Sequence, residues 1–255
     1  MKRSIKNILI QLNLFDSVKF IAYSLFGYDA KIYLHKKKMK VFYGQFLKKG
    51  DLCFDIGANI GNRTEIFVDL QTRVISVEPQ SVCLQELHRK FGHNKNVEIV
   101  AMGVADKVGF ANLAICENSS VLSTMSEAWK TQSRFSDRST WGKVEKVSVL
   151  TLDELVNSFG LPVFCKIDVE GFEEKVVKGL TKPIPVVSFE FARELHTVAV
   201  NCIDWLTTIG DYKFNFSIGE SMELLLPIWV TSDELISKLE SIDDNLLWGD
   251  IYAKL

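Results

Sequence analysis

From Asp51 onward the chain alternates short, mostly apolar runs with stretches whose apolar positions recur every three to four residues. The runs at 51–56, 73–78, 97–101, 163–168 and 185–191 have the length and β-branched content of buried strands. Between them, 61–70, 81–91, 151–158, 172–179 and 198–209 carry the helical period. Thr151-Leu-Asp-Glu154 and Thr231-Ser-Asp-Glu234 fit the capping box, in which a threonine and the acid three residues on satisfy each other's backbone N–H at a helix start. Alternation of this kind predicts an α/β fold, a mostly parallel sheet with helices on both faces.

Three segments depart from the alternation. Strand-like runs at 108–115 and 144–150 flank a polar stretch, Cys116 to Lys143, that is rich in Ser and Thr yet contains Trp129, Phe135 and Trp141. A structureless loop of that length is uncommon inside a compact domain, so it reads as a lid or binding loop, or else as an insertion without function. Residues 246–255 read as a last strand, apolar on both faces. Residues 1–49 are loosely amphipathic, with Ile5, Ile8, Leu9, Leu12 and Phe15 at helical spacing. They are taken as a helical N-terminal appendage to a main domain spanning 50–255.

Composition narrows the class. With 47% hydrophobic and 24% charged residues in 255, the chain suits a packed domain, not a disordered one. Its five cysteines form no C-x-x-C and its four histidines no zinc signature, so buried thiols in a reducing cytoplasm are expected and no metal ligand set is read. The apolar stretch Ile5 to Phe26 is interrupted by Asn7, Gln11, Asn13, Asp16 and Lys19, which argues against a membrane span or a secretory leader. Residues 1–50 hold eleven Lys and Arg against two Asp, a charge of +9; with a net charge of −2, the remainder carries −11. Such asymmetry fits either peripheral contact with an anionic membrane or a basic segment that complements the acidic main domain.

Three motifs carry chemistry. In Phe54-Asp55-Ile56-Gly57-Ala58-Asn59-Ile60-Gly61 a buried strand ends in an acid and a glycine turn leads into a helix. Such a turn, at the carboxyl end of the first strand, lets backbone approach a ligand closely. Ala58 stands where a dinucleotide fingerprint has its second glycine, so a nicotinamide cofactor is disfavoured. Glu78, at the end of the second strand, is placed to accept hydrogen bonds from both hydroxyls of a ribose. In Lys166-Ile167-Asp168-Val169-Glu170-Gly171 strand alternation puts Lys166, Asp168 and Glu170 on one face, costly in a buried strand unless they pair or meet a ligand.

Together Asp55-Ile-Gly-Ala-Asn-Ile-Gly61, Glu78-Pro79, Val149-Leu-Thr-Leu-Asp153, Lys166-Ile-Asp-Val-Glu-Gly171 and Val187-Ser-Phe-Glu190 resemble the FkbM methyltransferase family over about residues 50–255. The resemblance implies a class I, Rossmann-like methyltransferase fold that uses S-adenosylmethionine to methylate a hydroxyl of a saccharide or secondary metabolite, with no nucleic acid as partner. It implies that Asp55 and the loop Gly57, Ala58, Asn59 and Gly61 meet the methionine part of the cofactor, that Glu78 holds the ribose, and that Ala101 and Met102 border the adenine. A neutral hydroxyl also needs a base. Asp168 or Glu190 is the candidate, with Lys166 orienting that carboxylate or holding the acceptor oxygen. The rival reading is a non-catalytic binding or scaffold protein that keeps the fold; the intact Gly57, Gly61 and Glu78 argue against it.

Overall fold

The computed structural model describes residues 31–255. The apolar periodicity at Ile5 to Phe15, and with it most of the basic N-terminal segment, lies outside the described residues. Residues 31–43 are helical (α1). Strand β1 (Leu52–Ile56) leads into helix α2 (Asn62–Asp69), β2 (Arg73–Val77) into α3 (Ser81–Phe91), and then come β3 (Val97–Val100) and the two-residue β4 (Gly103–Val104). After β5 (Gly109–Ile115), the helix α4 (Glu127–Gln132) precedes β6 (Lys143–Leu150), α5 (Leu152–Phe159) and β7 (Phe164–Ile167). The last elements are α6 (Glu173–Val177), β8 (Val186–Ala192), α7 (His196–Ile209), β9 (Lys213–Ile218), α8 (Ser232–Ser241) and β10 (Trp248–Lys254).

The seven-stranded sheet runs β3-β2-β1-β7-β8-β10-β9. Every pairing from β3 to β8 is parallel, while β10 lies antiparallel between β8 and β9. The predicted mostly parallel sheet is therefore what the chain builds. Its parallel strands are mostly apolar because both faces are covered. The two runs at 108–115 and 144–150 leave this sheet. As β5 and β6 they pair antiparallel and join β4 in a separate three-stranded sheet.

One sheet face packs on α5 to α8, with Phe189, Ile203, Leu206 and Phe214 among its fully buried side chains. The other is closed by α1 and α2. Phe42 and Tyr43 of α1 meet Tyr252, Phe67 and Phe164 edge-on, with ring centroids 5.1–5.7 Å apart. Thr231 and Glu234 form the complete capping box. At Thr151 only half of it forms: the hydroxyl accepts from the Glu154 N–H, and the exposed Glu154 side chain returns no bond. No helix among the described residues is long and apolar enough to cross a membrane.

Candidate functional site

The carboxyl ends of β1, β2, β7 and β8 open into a cavity of about 450 Å³, within the size range of small-molecule sites. Asp55, Gly57, Ala58, Asn59, Glu78, Met102, Asp168 and Glu190 all line it. Chain positions up to 135 residues apart, Asp55 to Glu190, are thus brought to one wall. Three expected site residues do not line it. Gly61 faces helix α3, where a Cβ would press on Phe91 and Leu87, and its φ of +85° starts α2. Ala101 is exposed beside Met102. Lys166 is fully buried behind Asp168 and does not reach the cavity, so it is placed to orient a carboxylate and not to hold an acceptor oxygen.

The glycine turn is fixed by its own geometry. Gly57 has φ +78°, and a Cβ there would overlap the Asp168 carbonyl oxygen. Asn59 takes φ +48°, a conformation asparagine tolerates, and its side chain accepts from the Ile60 N–H at 2.8 Å. Its own N–H donates to Glu78 Oε2 at 2.8 Å, and the Gln80 N–H donates to Oε1 at 2.8 Å. Two backbone donors therefore hold the Glu78 carboxylate in place, one from the glycine turn itself. Burial pushes Glu78 up to about 7 despite those bonds. Asp55 is turned inward to accept from the Thr64 hydroxyl at 2.6 Å, and burial lifts it to about 6. It braces the turn from below.

A row of polar side chains crosses the sheet under α1 and α2, in which Ser76, Asp55, Lys166, Ser188 and Tyr252 are successive register partners. Lys166 spans the small Ser188 to reach β10. Its ammonium donates to Asp250 Oδ1 at 2.8 Å, Asp168 Oδ2 at 3.1 Å and the Ile167 carbonyl at 3.3 Å. Burial works against this charge, but Asp168 and Asp250 outweigh it and hold the Lys166 pKa well above its usual value. Burial would likewise raise Asp168, yet Lys166 and Arg63 hold it below the usual carboxylate range. Asp168 is thereby kept ionised at the cavity wall.

The strand-alternation argument reaches only as far as Ile167, where β7 ends. Glu170 lies in the turn beyond, at φ +53°, with its side chain on the cavity. The turn is anchored instead by Glu173, whose Oε1 accepts from the Val169 and Gly171 N–H groups at 3.1 and 3.2 Å. Oxygens of Asp168, Glu170 and Glu190 lie within 4.8 Å of one another. Burial first, and then mutual repulsion, push Glu170 and Glu190 well above the usual carboxylate range.

The segment between β5 and β6 is ordered and roofs the cavity through Leu122, Met125, Trp129 and Phe135. A clasp holds it down: Arg134 donates to both oxygens of Glu194 at 2.7 Å and to the Leu246 carbonyl at 2.7 Å. Trp141 closes the other end, its indole N–H on the Leu122 carbonyl at 2.9 Å. The aromatic residues in a polar stretch were the sequence signal for this roof; Arg134, Arg63 and Asp250 gave none.

A family model described as the methyltransferase FkbM domain matches residues 55–216. Among solved structures, the chain is similar to a precorrin-6y C5,15-methyltransferase from Geobacter metallireducens, at 14% identity and a TM-score of 0.44, covering 84% of this chain and 86% of that one. It is also similar to a TehB-like SAM-dependent methyltransferase from Corynebacterium glutamicum, at 9% identity and a TM-score of 0.43, covering 86% and 88%. A third is Aeropyrum pernix fibrillarin with natively bound S-adenosyl-L-methionine, at 13% identity and a TM-score of 0.40, covering 81% and 67%. A comparison with curated protein sequences finds no match.

Proposed function

The chain belongs to the FkbM methyltransferase family and takes S-adenosylmethionine as its cofactor, and from that premise we propose that it methylates a hydroxyl oxygen of a small-molecule or glycan acceptor, with Asp168 as the base. The observation that carries this reading is the fully buried Lys166, 3.1 Å from Asp168, which keeps that carboxylate ionised and directed at the cavity. When bound, the cofactor supplies an electrophilic methyl group on a sulfonium. Gly57 lets the turn lie against the end of β7, since a Cβ there would overlap the Asp168 carbonyl oxygen. Glu78, held by two backbone N–H groups, accepts from the ribose hydroxyls with the lone pairs those bonds leave free. Met102, on the cavity wall, borders the adenine.

Asp168 accepts the acceptor's hydroxyl proton as the oxygen is alkylated, a contribution of roughly 10²–10⁴-fold. Glu170 and Glu190 beside it are within reach of the acceptor's other hydroxyls. The roof of Trp129, Phe135 and Leu122 excludes water and offers apolar faces to the acceptor's carbon skeleton. Single-turnover transfer by Asp168→Asn tests this. The rate is expected to fall by at least about 10² while S-adenosylhomocysteine binding is kept. Transfer at the parent rate would remove Asp168 from the role and leave Glu190 as the base. A product methylated on nitrogen or carbon would overturn the hydroxyl assignment.

A further inference from the structure

We propose that Arg63 holds the α-carboxylate of the cofactor's methionine part. This rests on the cofactor placement above and adds a residue that no motif marked. The argument begins with charge. The cofactor carries two cationic groups, a sulfonium and an α-ammonium, and one anionic group, the carboxylate. The cavity wall suits the cations, since Asp55, Glu78, Asp168 and Glu220 line it. The carboxylate needs a cation among these acids, and the lining offers two, Arg63 and Arg134. Arg134 is spent on both oxygens of Glu194 and on the Leu246 carbonyl.

Arg63 is differently placed and incompletely satisfied. It stands in the first turn of α2, directly after the glycine turn, so it borders the end of the site where the methionine part lies. The helix N-terminus beside it adds a favourable field for an anion. Its side chain is 15% exposed. One nitrogen, Nη2, donates to Glu220 at 2.6 and 2.8 Å. The others are poorly met: Nη1 donates to the Met39 sulfur of α1 at 2.7 Å, a weak acceptor, and the buried Nε has no partner. The thioether leaves Nη1 without a strong acceptor, which a carboxylate in the cavity would supply. Helix α1 therefore belongs to the site, because Met39 supports the arginine from behind.

Calorimetry on the full chain tests this with two ligands, S-adenosylhomocysteine and its decarboxylated analogue S-adenosyl-3-thiopropylamine. Arg63→Met is expected to weaken S-adenosylhomocysteine by about ten- to a hundredfold, the range for hydrogen bonds to a charged group. The analogue, which has no carboxylate and keeps its ammonium, should bind the variant as well as the parent or better. Equal weakening of both ligands would reduce Arg63 to a support for the turn and overturn the proposal. Unchanged S-adenosylhomocysteine affinity would overturn it too, leaving Arg63 for an anionic group of the acceptor. Arg63→Gln, which is neutral and keeps a polar contact for Glu220, gives the same comparison should the methionine variant not fold. If the parent binds neither ligand, the cofactor placement itself fails, which is a different result from any seen only in the variants.

Discussion

Changing the charge on Glu78 should change how tightly S-adenosylhomocysteine binds. Burial lifts this carboxyl to about 7, with the Gln80 and Asn59 N–H bonds opposing the rise without cancelling it. Its ionised fraction then climbs from about one-tenth at pH 6 to about nine-tenths at pH 8. A ribose whose hydroxyls donate to the carboxylate requires the ionised form. Affinity should therefore be lost as pH falls through about 7, and rise about tenfold, or about 1.4 kcal/mol, from pH 6 to pH 8. In Glu78→Gln an amide NH₂ would face one of the backbone donors that the carboxylate now accepts from. Binding at pH 8 should weaken by about 1.5–3 kcal/mol, and the Glu78-linked pH dependence should vanish. Isothermal titration at pH 6, 7 and 8 at constant ionic strength measures both. A flat profile in the parent, or the same slope in parent and variant, would refute the ribose assignment.

Gly57→Ala should destabilise the protein by more than about 1 kcal/mol, because φ +78° and the Asp168 carbonyl both exclude a Cβ; an unchanged thermal midpoint would contradict this. Lys166→Met leaves Asp168 and Asp250 without their shared buried cation and should cost about 3–5 kcal/mol in chemical denaturation, while a loss under about 1 kcal/mol would mean that water reaches the pair. Arg134→Met should release the roof, seen as faster hydrogen exchange across 116–143 with the central sheet still protected; unchanged exchange there would show that the clasp is redundant. Lys36 and Lys38 pair with Glu65 and Glu223 of the main domain, so residues 1–49 are expected to give no extra co-sedimentation with anionic over neutral vesicles at low salt, whereas salt-sensitive pelleting with anionic vesicles alone would establish membrane contact.

The parts of this molecule legible in its sequence are those whose physics is local. An apolar run of five residues bounded by turn residues announces a buried parallel strand, and Gly57 and Gly61 announce backbone that a side chain cannot follow. The glycine turn on the cavity wall was readable for that reason. What was not readable depends on distance along the chain. Nothing near Lys166 shows that its second anion is Asp250, 84 residues later and two strands away in the sheet. Strand β4 is two residues long and exists only because Leu150 and its neighbours offer it an edge. Glu173, not marked by any motif, anchors the turn after β7, because β7 stops at Ile167, where alternation ceases to say which way a side chain points. Arg63 is set apart only by its contact with Met39 of α1, 24 residues earlier in the chain.

Strand β10 follows β9 in the chain yet sits between β9 and β8 in the sheet. Until β10 docks, β9 has no neighbour in the sheet, and the ammonium of Lys166 lacks its closer carboxylate. The strand that closes the hydrogen-bond ladder also neutralises a charge at its centre. Docking of β10 thus completes both the far half of the sheet and the ion pairs of Lys166. An intermediate that stops short of it would leave a strand edge open to other chains, and would present Asp168 without the geometry that makes it useful.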